Sequence, residues 1–254
     1  LNRENINDYE FKAFSQWGED GIIDFLITNL DIENKTFIEF GVENYEEANT
    51  KFLLLNHYWK GLIIDSSSEN VNYIKNSKLY WKYSLQAECE FITKENINAI
   101  IKKGNFEKRV GLLSIDIDGN DYWIWKEIEI VDPSIVIIEY NARFGKEKSC
   151  TVPYEKGFSR RDKHYSMIYY GASLKALIKL GISKGYAFIC CNKAGNNAFF
   201  VKKELLNDNI KENLIENAFY KNKFRESRNT RGELTYLDSK SEEEIILSLP
   251  LEEV

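Results

Sequence analysis

Acidic side chains recur at four points of the chain where a run of apolar residues ends. They are Glu39, Asp65, the pair Asp116 and Asp118, and Glu139. Because the carboxyl ends of parallel strands meet at one edge of a sheet, these carboxylates are expected to line one ligand site. The alternative is that each acid simply caps the N-terminus of the helix that follows it.

The spacing of glycines narrows the ligand that such a site would hold. Gly41 follows Glu39 by two residues, and a glycine there lets the backbone approach a ligand closely. The GxGxxG pattern of dinucleotide folds and the GxxxxGK[ST] phosphate loop are both missing from the chain. Asp65 lies 26 residues after Glu39 and suits the hydroxyl groups of a ribose. A nucleoside cofactor without phosphate fits, and S-adenosylmethionine (SAM) is the leading candidate.

Three of the residues at neighbouring strand ends offer oxygen ligands. Asp118, Glu139 and Asn141 carry the carboxylate and amide oxygens that Mg²⁺ or Mn²⁺ prefers. Such an ion would lower the pKa of a substrate hydroxyl group that accepts the methyl group of SAM. The alternative is that Asp118 and Asn141 cap turns and hydrogen-bond the substrate directly.

A hydroxyl acceptor also needs a general base. The chain has two histidines, and His57 lies in an apolar helical pattern that indicates packing. His164 lies in a long loop expected to reach over the strand ends, and its ordinary pKa suits the role. His164 is therefore the candidate base, with Asp118, Tyr140 and Asp121 as rivals.

The same loop is rich in cations. It holds Arg143, Lys146, Lys148, Arg160, Arg161 and Lys163. In a net-acidic protein such a cluster over a pocket would attract an anionic acceptor, for instance a phosphorylated or nucleotide-linked sugar. A solvated charged face explains the cluster equally well.

The elements that must position these residues follow from hydrophobic periodicity. It predicts strands over 36–40, 61–65, 79–84, 110–117, 134–140, 186–191 and 197–202, and helices over 20–30, 48–57, 69–76, 96–103, 122–130 and 172–183. Apolar strands alternating with amphipathic helices indicate an α/β protein with a doubly wound, Rossmann-like parallel sheet. A Gly-Asn-Asn turn predicts a hairpin between the last two strands.

Composition excludes several classes of protein. A net charge of −6 argues against a nucleic-acid partner. The 4 cysteines form no CxxC pair, which predicts reduced thiols and a cytoplasmic location rather than disulfides or a zinc site. The longest apolar runs are too short to span a membrane.

Several segments together resemble a known family. They are SQWGEDG at 15–21, FIEFG at 37–41 with Asn49-Thr50 downstream, LSIDIDGNDY at 113–122, IIEYN at 137–141, GASL at 171–174 with Gly185-Tyr186, and NAFFV at 197–201. In this order they resemble class I SAM-dependent methyltransferases, and more narrowly the FkbM-type enzymes and a related methyltransferase-like group. Glu43-Asn44 stand about where that family has Asp-Gly, a departure in the first loop.

The resemblance implies a seven-stranded sheet, mostly parallel, whose last strand is antiparallel. It also implies which residues would surround SAM: Gln16, Glu39, Gly41, Asn49, Thr50, Asp65, Ser66, Ser84, Leu85 and Asp116. Among these, Asp65 would hold the ribose, Ser84 and Leu85 would flank the adenine, and Asp116 would lie near the methionyl amine.

The expected organisation is a methyltransferase domain over 1–203, including a substrate loop over 142–170, with a helical extension over 204–254 packed on it. The expected function is O-methylation of a sugar, or of a modification on a surface or capsular polysaccharide, and the sugar is implied by the resemblance alone. The alternatives are methyl transfer to a nitrogen or carboxylate of a small molecule, and a non-catalytic Rossmann-fold binding protein.

Overall fold

A seven-stranded sheet forms the centre of the protein. The structure, a computed structural model, describes residues 5–106 and 108–254. The strands of this sheet are β1 (Thr36–Phe40), β2 (Lys60–Asp65), β3 (Leu85–Cys89), β4 (Arg109–Ile115), β5 (Asp132–Glu139), β7 (Tyr186–Cys191) and β8 (Asn197–Lys202). A separate two-stranded sheet pairs β6 (Cys150–Thr151) with β9 (Glu252–Glu253).

The strand order is β3-β2-β1-β4-β5-β8-β7. The first five strands are parallel, whereas β8 runs antiparallel to both β5 and β7. The order reverses between β1 and β4, so the chain leaves a crevice at the carboxyl ends of these strands, where ligands bind in open α/β sheets. The predicted Rossmann-like sheet with an antiparallel last strand is therefore confirmed.

Helices cover both faces of the sheet. They are α1 (Glu19–Asn29), α2 (Lys51–Asn56), α3 (Ser68–Lys75), α4 (Lys78–Lys82), α5 (Ile97–Lys103), α6 (Asp121–Glu127), α7 (Arg160–Lys163), α8 (Leu174–Ser183), α9 (Ile215–Ala218) and α10 (Ser239–Leu247). Alternate residues of a strand enter opposite cores, as Phe37 and Ile38 show. Strands buried on both faces explain the continuous apolar runs in the sequence. No helix within the described residues is long and apolar enough to cross a membrane.

One predicted strand is wrong. Residues 79–82 of the predicted strand 79–84 belong to helix α4, whose N-terminus is capped by the Ser77 hydroxyl accepting from the Tyr80 N–H. The strand follows instead as β3, which pairs Leu85 with Gly61 and Cys89 with Asp65. β3 lies at the edge of the sheet with Gln86 exposed, so its sequence is only half apolar and lacks the run that marks a buried strand.

The two long irregular regions also differ from expectation. The loop over 142–170 contains a 3-10 turn at Ala142–Phe144, strand β6 and helix α7. The tail was expected to be helical, but within 204–254 only α9 and α10 are α-helical and much of the rest is irregular. Arg143 of the loop forms ion pairs with two residues of the tail, Glu226 at 3.1 Å and Glu242 at 2.9 Å.

Candidate functional site

A pocket of about 570 Å³ opens at the carboxyl edge of the sheet. This volume lies within the usual range for small-molecule sites. Its walls are formed by Gln16, Trp17, Glu39, Gly41, Val42, Glu43, Glu47, Ala48, Asn49, Ile64, Asp65, Ser66, Glu90, Phe91, Ile92, Asp116, Ile117, Asp118, Asn120, Glu139, Phe158, Arg160, Asn196, Asn197, Phe224, Arg225 and Glu226. The four predicted strand-end acids therefore do line one pocket.

The turn after β1 requires its glycine. Gly41 has φ +71°, and a Cβ built on it would lie 1.6 Å from the carbonyl oxygen of Asp116. Any larger residue would push the end of β1 away from the end of β4. The glycine therefore keeps the floor of the pocket narrow at the point where the strand order reverses.

The Glu39 side chain fixes the segment between β1 and α2 through hydrogen bonds. Its carboxylate accepts hydrogen bonds from the Asn49 and Thr50 N–H groups, at 2.9 and 3.0 Å, and from the Thr50 hydroxyl. These contacts cap the N-terminus of α2. Burial raises the pKa of Glu39, while the hydrogen bonds oppose that rise. Asn49 lines the pocket, but Thr50 does not, so its place is behind the wall.

Asp65 holds the second turn. One carboxylate oxygen accepts from the Glu43 N–H at 2.8 Å, and the other accepts from the Ser67 N–H at 2.8 Å. These bonds join the loop after β1 to the loop after β2. Asp65 and Ser66 both line the pocket, as expected, and Gln16 lines it from the segment before α1.

The structure does not bring Ser84 and Leu85 to the pocket. Leu85 pairs with Gly61 at the start of β2, so both residues lie at the amino edge of the sheet. The prediction for Ser84 and Leu85 is wrong because it took 79–84 as the third strand, whereas β3 begins at Leu85. Glu90, Phe91 and Ile92, which follow the true end of β3, line the pocket in their place.

The loop after β4 carries three carboxylates. Asp121 is fully buried and accepts from the Ile117 and Gly119 N–H groups, at 2.8 and 2.9 Å. Burial nevertheless raises the pKa of Asp121 to about 6. Burial and the neighbouring Asp118 also raise the pKa of Asp116. Asp118 has φ +57° and projects outward, with a side chain that is 56% exposed.

Glu139 ends β5 and differs from the other buried acids. It is 6% exposed, and its Oε2 atom has no hydrogen-bond partner among the residues that the structure describes. Burial raises the pKa of Glu139 well above its usual range, and the carboxylates of Asp116 and Asp118 raise it further. Oδ1 of Asn197, the cross-strand neighbour of Glu139 on β8, is likewise buried without a partner. Two acceptor atoms on this side of the pocket thus lack donors.

The candidate metal ligands need one correction. Carboxylate oxygens of Asp116, Asp118 and Glu139 lie within 4.8 Å of one another. Asn141 is not part of this group, because its amide donates to the carbonyl oxygens of Ile168 and Tyr170 at 2.9 and 3.0 Å. The Asn141 side chain instead holds the loop that precedes α8, and Asp116 takes its place.

Three of the candidate bases, Tyr140, His164 and the buried Asp121, lie outside the pocket. Tyr140 is buried in the core and donates its hydroxyl to the Tyr220 carbonyl at 2.6 Å, and burial raises its pKa well above the usual value. The residue after Glu139 must point to the opposite face of the sheet. His164 bonds to the Ser166 hydroxyl at 2.6 Å, and burial lowers its pKa. None of the three lines the pocket, whereas Asp118 does.

The outer wall of the pocket is formed by residues of the C-terminal segment 204–254. The sequence analysis did not predict that this segment would line the site. Glu226 binds Arg160 at 3.1 Å and Arg143 at 3.1 Å, and it accepts from the Tyr170 hydroxyl at 3.0 Å. Arg160 also binds Asp118 at 3.0 Å. At the rim, the rings of Trp17 and Phe224 stack with centroids 5.4 Å apart. No local pattern predicts Phe224, Arg225 or Glu226, whereas Asn196 and Asn197 stand in the predicted Gly-Asn-Asn turn at the start of β8 and could have been found.

The pocket is strongly acidic. Its charged lining residues are Glu39, Glu43, Glu47, Asp65, Glu90, Asp116, Asp118, Glu139 and Glu226 against Arg160 and Arg225. The other cations of the loop, Lys146, Lys148, Arg161 and Lys163, do not line it. Such a lining favours a cationic or uncharged ligand.

A scan of the sequence against protein-family models found no match, and neither did a search of curated proteins. A search of solved structures found a SAM-dependent methyltransferase from Clostridium acetobutylicum at 11% identity and a TM-score of 0.41, covering 72% of this chain and 90% of that one. The N-terminal domain of EvdMO1 with S-adenosylhomocysteine (SAH) bound has 10% identity and a TM-score of 0.45, covering 74% and 80%. An O-methyltransferase from Bacillus cereus in complex with SAH has 9% identity and a TM-score of 0.40, covering 69% and 76%. At this similarity the likenesses carry no argument about function.

Proposed function

We propose that this chain is a SAM-dependent methyltransferase. The observation that carries the proposal is the pocket at the switch point of the sheet, which joins a glycine turn at Gly41 to an acid, Asp65, at the end of the next strand. The close backbone at Gly41 and the absence of a phosphate cradle suit a nucleoside cofactor. The family resemblance of the sequence supports the same class, including its FkbM-type branch.

The residues present fit this cofactor. Asp65 and Ser66 would hold the ribose, Gly41 and Gln16 would contact the methionyl end, and Asp116 would lie near its amine. Glu39, Asn49 and Thr50 would act by keeping the first turn and α2 in place. The unpartnered acceptor atoms of Glu139 and Asn197 and the acidic lining suit a ligand that carries positive charge.

When bound, SAM supplies an electrophilic methyl group on a sulfonium. This chain must then align the acceptor and take its proton. With His164, Tyr140 and Asp121 outside the pocket, Asp118 is the remaining candidate base, since it lines the pocket and half of its side chain is open to ligand. Arg160, bound to Asp118, holds that carboxylate in position.

A divalent cation is the alternative partner for the same carboxylates, in place of the positive charge of the cofactor. Asp116, Asp118 and Glu139 offer hard oxygen ligands, which Mg²⁺ or Mn²⁺ prefers, and Glu139 presents an unpartnered oxygen. Bound there, the ion would lower the pKa of an acceptor hydroxyl and assist its deprotonation.

For the acceptor we propose a sugar hydroxyl, on a carbohydrate or on a modification of a surface or capsular polysaccharide. The resemblance supports this choice, and the Trp17–Phe224 rim offers a flat apolar surface on which a sugar ring can stack. An uncharged acceptor fits better than an anionic one, because Arg160 is already bound to two carboxylates. The four free cysteines support a cytoplasmic location.

The test is calorimetric titration of the protein with SAH, with and without Mg²⁺. We expect micromolar binding that falls at least tenfold in Asp65→Asn, because the amide loses one acceptor at the ribose position. Asp31→Asn, at the opposite edge of the sheet, is the matched control and should bind as the wild type does. Thermal melts of both variants would show that they fold.

Absence of both SAM and SAH binding by the folded wild-type protein would overturn the methyltransferase assignment and favour a non-catalytic binding protein. Binding with turnover of amines or carboxylates, but not of hydroxyl acceptors, would favour the nitrogen or carboxylate alternative. Turnover that survives removal of divalent cations with EDTA would overturn the proposed role of a metal ion in the reaction.

A further inference from the structure

The acidic lining of the pocket is not balanced by its two cations. Arg160 binds Asp118 and Glu226, and the guanidinium of Arg225 lies 3.8 Å from the ring centroid of Tyr236. Both arginines are therefore already occupied by neighbours on the outer wall. Asp116 and Glu139, deeper in the pocket, form no ion pair within the described residues and interact with Arg160 only at longer range.

The least compensated carboxylates are Asp116 and Glu139. Their oxygens lie within 4.8 Å of each other, so each adds to the negative potential at the other. Within the described residues neither forms an ion pair, since Arg160 binds Asp118 and Glu226 instead. The Oε2 atom of Glu139 is buried and has no donor. A buried carboxylate in this state gains from any cation that enters the pocket and gains nothing from a neutral group of the same shape.

We infer that the Asp116–Glu139 pair makes the pocket select for positive charge on the methyl donor, so that the sulfonium of SAM is held more tightly than the neutral thioether of SAH. The inference rests on the proposed function and deepens it. The two molecules share every group that Gly41 and Asp65 would contact. Any large difference in their affinities must therefore come from the methyl group and its charge.

This selection would have a consequence for turnover. Transfer of the methyl group converts the sulfonium into a thioether: the acceptor oxygen forms a bond to the methyl carbon, the carbon–sulfur bond breaks with its electron pair staying on sulfur, and the acceptor proton passes to the base. The positive charge that the pair attracts thereby disappears at the moment of reaction. The spent cofactor would leave readily, and the protein would resist inhibition by SAH.

The test compares three ligands of the same skeleton by calorimetry at pH 8.5 in EDTA. They are SAM, SAH and sinefungin, a stable analogue that carries an amine in place of the methylsulfonium. We expect the wild-type protein to bind SAM and sinefungin at least tenfold more tightly than SAH. Glu139→Gln should reduce that ratio to threefold or less, chiefly by weakening the two cations. Asp116→Asn should weaken all three ligands, because the amine that they share is proposed to lie near Asp116, and it should reduce the ratio less than Glu139→Gln does.

Glu33→Gln, at the amino edge of the sheet, is the matched control and should keep the wild-type ratio. Equal affinities for all three ligands in the wild type would overturn the inference while leaving the proposed function intact. An unchanged ratio in Glu139→Gln would also overturn it. Failure of all three ligands to bind would instead remove the proposed function.

Discussion

Glu39 and Glu139 occupy equivalent places at the ends of two strands and are buried to the same degree, 5% and 6% exposed. Their surroundings differ. Glu39 accepts from two backbone N–H groups and a hydroxyl, whereas Glu139 keeps one oxygen without a donor. Burial raises the pKa of both carboxyl groups, but only at Glu39 do several hydrogen bonds oppose the rise.

This comparison distinguishes a carboxylate that stabilises the fold, Glu39, from a carboxylate with an oxygen that is available to a ligand, Glu139. A carboxylate whose acceptors are filled by the chain stabilises the fold, here by capping α2. A buried carboxylate without partners costs stability, and such a cost is expected where a ligand completes the site. Position at a strand end does not distinguish the two, but the supply of donors does.

The largest effect is expected from removing the filled carboxylate. Glu39→Ala would leave the buried Asn49 and Thr50 N–H groups without acceptors, and we expect a loss of about 3–5 kcal/mol in the free energy of unfolding. Glu39→Gln keeps one acceptor and should lose about 2 kcal/mol. Urea denaturation measures both. A loss below about 0.5 kcal/mol in Glu39→Ala would contradict the structural role.

Asp121 is an intermediate case, because both oxygens have donors and yet its pKa is raised from 3.8 to about 6. Between these values the folded chain keeps a proton that the unfolded chain has lost. Stability from this group is therefore complete below pH 3.8 and is lost as the pH rises towards 6. The loss is on the order of 3 kcal/mol.

The check is urea denaturation at pH 4.5 and pH 7 for wild type and Asp121→Asn. We expect a smaller fall in stability between the two pH values in the variant. Other buried carboxyl groups titrate with the same sign in both proteins, so the difference reports Asp121. Parallel pH profiles would show that the N–H donors of Ile117 and Gly119 keep its pKa near the ordinary value.

The smallest effect is expected at the unfilled carboxylate and has the opposite sign. Glu139→Gln removes a buried charge without a counter-charge and keeps the side-chain volume, so we expect a gain of about 1 kcal/mol. The melting temperature should rise by roughly 2–4 °C. Differential scanning calorimetry at pH 8 measures the change. A melting temperature lowered by the substitution would place Glu139 with Glu39 as a structural acid.

Much of the sheet could be read from the sequence. Strands β1, β7 and β8 have the predicted bounds, because strands buried on both faces are continuous apolar runs. The prediction is wrong at β3, an edge strand with one exposed face, because the more aromatic segment 79–84 matches a strand pattern better. The local preference for β structure did not decide the outcome there. The segment forms a capped helix, and the strand that pairs with β2 begins only at Leu85.

The site was predictable where it follows directly from strand ends. Glu39, Asp65, Asp116 and Glu139 meet as expected, since parallel strands place their carboxyl ends together. His164 and Asn141 were misjudged because the course of a loop depends on its own packing. Asn141 in particular turns its amide to backbone carbonyls within that loop.

The sequence by itself determined the order of strands and helices, the glycine at the first turn and the acids at the strand ends, because these depend on local pattern. Tertiary structure decided which of those acids find donors. It also placed Glu226 on Arg160 and Glu242 on Arg143, contacts between residues 66 and 99 positions apart. Pairing over such separations depends on how the whole chain packs, and no short segment of sequence encodes it.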